Sequence, residues 1–185
     1  LLTAVGDRLP VNKRHIDLLI ITAPQALNAS ALLELLSRYS IGSALISDQV
    51  TPVTAINQVY ASLPPDTTVR AHAGHQVVFS DGTGIDVLYP SVETIPTADP
   101  ADTGLVLRVT SGAVTFLLTG DLSSDGQAAL LELDRPLHAD LLQIPGGGVD
   151  LNAAFVAQAA PSAAFAQPRI SALLDLDALQ SLAIP

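Results

Sequence analysis

The stretch HIDLLIITAPQALNASALLELLSRYSIGSALI, from His15 to Ile46, sets the tightest limit on the fold. An apolar run stops at Thr22, a short loop follows, a leucine-rich segment of helical period begins, and a second apolar run covers Ser43 to Ser47. The layout is strand, loop, helix, strand, and α/β proteins put their chemistry in the loops that leave such strands. Yet the loop here, Ala23-Pro24-Gln25-Ala26-Leu27-Asn28, carries no charge, no histidine and no glycine.

The pattern continues along the chain. Thr51-Pro52 ahead of Val53, Ile56, Tyr60 and Leu63 supplies a cap, a first-turn proline and a helical stripe, so the start reads β-α-β-α. Apolar runs at Gln76 to Phe79 and Ile85 to Tyr89 flank Asp81-Gly82-Thr83-Gly84. A second pair, Leu105 to Val109 and Val114 to Leu118, flanks Ser111-Gly112, giving two hairpins. Pro90 to Asp102, proline-rich and without period, reads as a long surface loop. Thr119-Gly120-Asp121 then leads into a helix over Ser123 to Leu133, capped by Ser123 or Ser124. A buried strand at Ala139 to Ile144 ends in Pro145-Gly146-Gly147-Gly148-Val149-Asp150. A helix capped by Asp150 or Asn152 runs from there to about Ala160. Ala163 to Ala166 reads as a short strand and Ser171 to Leu182 as a closing helix.

A chain of 185 residues is long enough for one domain with a sizeable core, and residues 1–185 are expected to form a single one. With 49% hydrophobic and 14% charged residues it is too apolar for disorder, and no apolar run reaches the roughly 18 residues of a membrane span. There is no cysteine, which excludes disulfides and thiolate metal sites and leaves the compartment open. The formal charge of -10 and thinly spread basic residues argue against strong direct binding of nucleic acid, whose phosphates need clustered cations. The chain opens at Leu1 and contains no methionine, as expected of a piece trimmed from a longer protein.

Several motifs agree in order and spacing with one family. Leu9-Pro10, Arg14, Ile16-Asp17 and Thr22-x-Pro24 fall on the pattern L-P-x-x-x-R-x-I-D ahead of L-x-x-T-H-P-H-x-D-H, and GLVLRV, FLLTGD and HADLLQIP with a glycine loop follow in order. Over roughly Leu9 to Ala166 the chain resembles the metallo-β-lactamase-like domain of ComEC-family DNA-uptake (competence) proteins. The resemblance implies an α/β fold, a four-layer αββα sandwich with a metal site at one edge of its two sheets, here without the family's opening strands and its D-V-G-Q-G-D run. It also implies attachment to a polytopic membrane protein and contact with other DNA-uptake proteins. The domain would then lie on the extracytoplasmic side of a bacterial cytoplasmic membrane.

The family's metal ligands are replaced in this sequence. Ala23, Gln25, Leu27 and Asn28 stand where the resemblance places the histidines and aspartate of H-x-H-x-D-H, and Pro145 to Val149, including Gly146 and Gly147, stand where it places P-H-H-G-S. Of the principal ligands only Asp121, in the T-G-D motif, remains. Methyl, isobutyl and glycine positions cannot bind zinc, and amides bind it poorly. These positions read as a vestigial metal site with no catalytic residue and no cofactor, and Asp121 reads as a cap for the helix that follows. Without a metal to acidify water, phosphodiester hydrolysis lacks its nucleophile.

The alternative is a metal-dependent nuclease or phosphodiesterase with rearranged ligands, using zinc or manganese on Asp121 with His72 or His75. Those two histidines have ligand spacing but read as solvated imidazoles in a loop, and His15 and His138 as surface groups. No G-x-S-x-G elbow is present. Gly146 to Gly148 could cradle a phosphate through its amides, but Asp150 would oppose the anion. A small-molecule binder that reuses the emptied pocket is a third reading.

Overall fold

The computed structural model describes residues 2–10, 12–93, 99–148 and 150–166. A short helix α1 (Leu2–Gly6) precedes β1 (His15–Ile20), α2 (Ala26–Arg38), β2 (Ser40–Ser47), α3 (Thr54–Ala61) and β3 (Thr68–Ala71). Strands β4 (Gln76–Val78), β5 (Gly84–Tyr89), β6 (Val106–Ser111) and β7 (Val114–Leu118) follow, then α4 (Ser124–Glu132), β8 (Leu141–Gln143), α5 (Ala153–Ala159) and β9 (Ala163–Phe165). One sheet has the order β1-β2-β3 and is parallel throughout. The other has the order β4-β5-β6-β7-β8-β9, antiparallel from β4 to β7 and parallel from β7 to β9.

Side-chain alternation stacks these elements into four layers. In β2, Ala44 and Ile46 point outward to Ala29 and Leu32 of α2 and Ile56 and Val59 of α3, whereas Leu45 points inward to Ile85, Val87, Leu105 and Leu107 of the second sheet. That sheet sends Val106, Leu117 and Leu142 to its far side, against Leu130 of α4 and Phe155 and Val156 of α5. Period-two strands thus fill both faces of each sheet, which gives the αββα sandwich the sequence led us to expect. Phe155, fully buried, is the largest side chain of the outer layer on that side.

Several expectations change in detail. The strand Thr68–Ala71 was not anticipated: at four residues it has no readable alternation, and its pairing with β2 defines it. Thr51 and Pro52 do not cap α3. The helix starts at Thr54, and the Thr51 hydroxyl accepts the Val53 N–H at 3.3 Å. Asn152, not Asp150, caps α5, accepting the N–H groups of Ala154 and Phe155 at 2.9 and 3.2 Å, while Asp150 takes a left-handed conformation. The end of the expected surface loop is buried, with Asp102 and Thr103 at 5% and 1% exposure in a short 3-10 turn. The closing helix expected over 171–182 lies outside the described residues. Among those described, no helix is long and apolar enough to cross a membrane.

Candidate functional site

The three loops singled out in the sequence converge at one edge of the sandwich. The Thr22 carbonyl, just past β1, accepts the Leu105 N–H at 2.9 Å. A Cβ at Gly104 would collide with that carbonyl, so the close approach of the chain to the β1 end requires glycine there. Gln143, at the end of β8, fastens the Thr119-Gly120-Asp121 loop. Its carbonyl accepts the Thr119 hydroxyl at 2.7 Å, and its amide oxygen accepts the Gly120 N–H at 3.2 Å. The Gly146 N–H closes the arrangement on the Gly120 carbonyl at 3.3 Å.

These contacts surround a cavity of about 610 Å³ whose lining includes Thr22, Ala23, Leu27, Asn28, Asp121 and Gln143. A smaller cleft of about 190 Å³ lies against Gln25, Asp121, Gly146 and Asp150. Ala23, Gln25, Leu27, Asn28, Asp121 and Gly146 therefore all border one or other of two hollows that share Asp121. Gly147 lies in the same short 3-10 helix, Pro145–Gly148, and Val149 falls outside the described residues.

The anticipated loop is shorter than it looked. Helix α2 begins at Ala26, so Leu27 and Asn28 belong to its first turn and only Ala23, Pro24 and Gln25 link it to β1. Leu27 stands 88% exposed at the rim of the cavity. The Gly146 amide is spent on Gly120, which removes one of the donors a phosphate cradle would need.

Asp121 does not hold the cap position of α4. Ser123 does, accepting the Gly126 N–H at 3.1 Å, and Asp102, from the segment ahead of β6, stands behind it. Asp102 accepts the Ser123 N–H at 3.0 Å and its hydroxyl at 2.7 Å. The signal was available in kind, a carboxylate beside Thr103 and Gly104 ahead of a strand, but only the folded chain brings it to a helix 21 residues on. Gln127, fully buried, extends the network by donating to the Leu122 carbonyl and accepting the Asn152 N–H.

His15 and His138 are exposed, as expected. His72 and His75 are not freely solvated. Both are half-buried, their rings meet edge to face with centroids 4.3 Å apart, and His72 Nδ1 lies 2.9 Å from Asp48 Oδ2. Among the described residues no three His, Asp or Glu side chains come together in a way that could hold a metal ion. The residues bordering the cavity thus do not fit a hydrolytic metal centre, which takes three or four imidazole and carboxylate ligands.

No protein-family model matches the chain, and no curated protein matches it by sequence. Solved structures do. The metallo-β-lactamase-fold protein YhfI from Bacillus subtilis is similar over 98% of this chain and 75% of its own, with a TM-score of 0.59 at 15% identity. The chain has the metallo-β-lactamase fold. A mutant of the β-hydroxylase CmlA is similar over 86% of this chain at a TM-score of 0.53 and 12% identity, and the chain spans 37% of that protein's length. In this metallo-β-lactamase fold the cavity lies where β1 ends, beside the T-G-D loop and the end of β8.

Proposed function

We propose that this metallo-β-lactamase-fold domain is catalytically silent and works by contact, as part of a ComEC-type DNA-uptake membrane protein on the extracytoplasmic side of a bacterial cytoplasmic membrane. Its partners are the rest of the polytopic chain and other DNA-uptake proteins. The observation that carries the silent reading is the wall of the edge cavity: Ala23, Leu27, Asn28 and Gln143 line it beside one carboxylate, Asp121, and the adjoining cleft adds Asp99 and Asp150 but no imidazole. One carboxylate among methyl, isobutyl and amide groups neither binds a transition metal tightly nor lowers the pKa of water. The ComEC reading rests on the motif order from Leu9 to Pro145; the four-layer fold agrees with any metallo-β-lactamase-fold protein. A net charge of -10 favours protein contact over direct grip on DNA.

Hydrolysis assays test the silent reading. Tag-free protein incubated with Mn²⁺ or Zn²⁺ and single- or double-stranded DNA, or an aryl phosphodiester, is expected to show no turnover above the metal-only blank. Turnover that disappears in Asp121→Asn would overturn it and revive the nuclease with rearranged ligands. The family reading is tested by the sequence of the full parent reading frame, which is expected to hold several apolar spans of about twenty residues outside this domain. A parent frame without membrane spans defeats that assignment.

A further inference from the structure

The parallel sheet has a second outer edge, on the side away from β1, where β3 pairs with β2 alone. Successive residues of a strand turn their backbone groups to opposite sides. The Ala71 carbonyl accepts the Asp48 N–H from the β2 side, so the N–H and C=O of Arg70 face the open edge. Arg70 is paired with Ile46, whose side chain faces α3, and the Arg70 side chain therefore leaves β3 on that same outer face.

There it meets a hollow of about 350 Å³ walled by Ile46, Leu63 and Pro65, with Tyr60, Thr68 and Arg70 completing the lining. The walls are preformed. Ile46 and Leu63 belong to the core under α3, and Tyr60 packs against it. The Thr68 hydroxyl donates to the Pro64 carbonyl at 2.6 Å, which ties the 3-10 turn Pro65–Thr67 to the start of β3.

That leaves two polar groups facing the hollow. Among the described residues the Arg70 guanidinium enters no ion pair and the Tyr60 hydroxyl no hydrogen bond. Burial pushes the Tyr60 phenol up to about 12, while the Arg70 charge pulls it part of the way back, so at neutral pH the phenol keeps its proton as a donor. The C-terminal end of α3 would repel an anion, but its last carbonyls are occupied: Gln58 by the Ser62 hydroxyl, Val59 by the Ser62 N–H and Tyr60 by the Leu63 N–H. A guanidinium and a phenol beside apolar walls suit a carboxylate carried on an apolar group. A phosphate dianion suits them less, because one cation balances one negative charge and the whole chain carries -10.

We propose that this edge captures the C-terminus of a partner polypeptide. Its last residues add as a strand beside β3 through the backbone of Arg70, its apolar final side chain fills the hollow, and its terminal carboxylate meets Arg70 and Tyr60. Main-chain pairing then supplies affinity, and the hollow and the carboxylate supply selectivity. A chain end fits better than a small acid because the hollow opens to solvent beside a strand edge that a small acid would leave unpaired. The site shares no lining residue with the cavity around Asp121, so it stands whether or not that cavity is silent.

The test is a ¹H–¹⁵N NMR titration of the tag-free protein with the peptide acetyl-Lys-Thr-Val-Thr-Val-Leu, its C-terminal amide, and N-acetyl-leucine. The free-acid peptide is expected to shift the β3 signals saturably and to slow hydrogen exchange at the Arg70 amide. Amidation removes the charge-assisted bonds and should weaken binding about 10- to 100-fold. Arg70→Gln should do the same and Tyr60→Phe should cost about 5-fold, whereas Arg135→Gln, an equal charge change at an exposed position elsewhere, should leave binding unchanged. N-acetyl-leucine, lacking the strand, should bind at least about 10-fold more weakly than the peptide. No saturable shift, equal binding of acid and amide, or unaltered exchange at Arg70 overturns the proposal. So does N-acetyl-leucine binding as tightly as the peptide, which would make the hollow a site for small acids, or an equal loss in Arg135→Gln, which would reduce the effect to net charge. The comparison of acid with amide uses the unaltered protein, so it holds even if a variant fails to fold.

Discussion

Asp102 is 5% exposed, and both of its carboxylate oxygens are used by Ser123. A buried charge is tolerated when it accepts strong hydrogen bonds and lies at a helix N-terminus, where the peptide dipoles favour an anion. Replacing Asp102 with Ala would strand the Ser123 N–H and hydroxyl as well as loosen the cap of α4. A loss of about 2–3 kcal/mol is expected, or a melting point lower by roughly 6–10 °C at this chain length. Asp102→Asn keeps one acceptor and should cost less than half as much. Thermal unfolding of the two variants beside the parent decides it, and equal losses would show that the carboxylate's charge, which Asn lacks, carries the whole effect and its shape none. This residue was hard to read in advance because its partner is distant in sequence, whereas Asn152, whose capped amides are two and three residues away, could be read as a cap.

The joint between β7 and β8 shows how elements are held in register. Asp140, just before β8, accepts both the Thr115 N–H at 2.7 Å and the Thr115 hydroxyl at 2.9 Å, and the hydroxyl oxygen in turn accepts the Asp140 N–H at 3.0 Å. The backbone and side-chain hydrogen bonds from Thr115 pull the Asp140 carboxyl below its ordinary value of 3.8. A carboxyl whose pKa is depressed by folding stabilises the fold above its unfolded value, and that contribution is lost as pH falls through the folded one. Stability should therefore decline as pH drops below about 3.8, and Asp140→Asn should flatten that part of the profile. Denaturant midpoints measured across pH 2 to 5 check it. A variant profile parallel to the parent's would show that Asp140 is not responsible. The hairpins β4-β5 and β6-β7 were legible because glycine turns between apolar runs act locally, while β3 depends on a neighbour for its existence.

For the molecule as a whole, the edge cavity lies where the family resemblance would place a metal, and its lining holds one carboxylate, Asp121. Installing that family's ligand types at once, with Ala23→His, Gln25→His, Leu27→Asp, Asn28→His and Gly146→His, would place imidazoles and carboxylates around Asp121. This variant is expected to bind zinc at a site that Asp121→Asn destroys, read by elemental analysis after dialysis. No gain of metal would mean that these loops do not hold coordinating geometry.

The sequence alone determined the layers, because hydrophobic period and glycine turns are local signals. Tertiary structure decided how the loops at the sheet edge meet and what stands beside them. It shaped a cavity of about 610 Å³ around Asp121, carried Asp102 to the start of α4, and set Asp48 against His72 across adjacent strand ends. The physical reason is the same in each case: a hydrogen bond or a cavity wall belongs to groups that are close in space, and paired strands, parallel before Asp48 and His72 and antiparallel between Asp102 and Ser123, bring together residues that the chain keeps more than twenty positions apart.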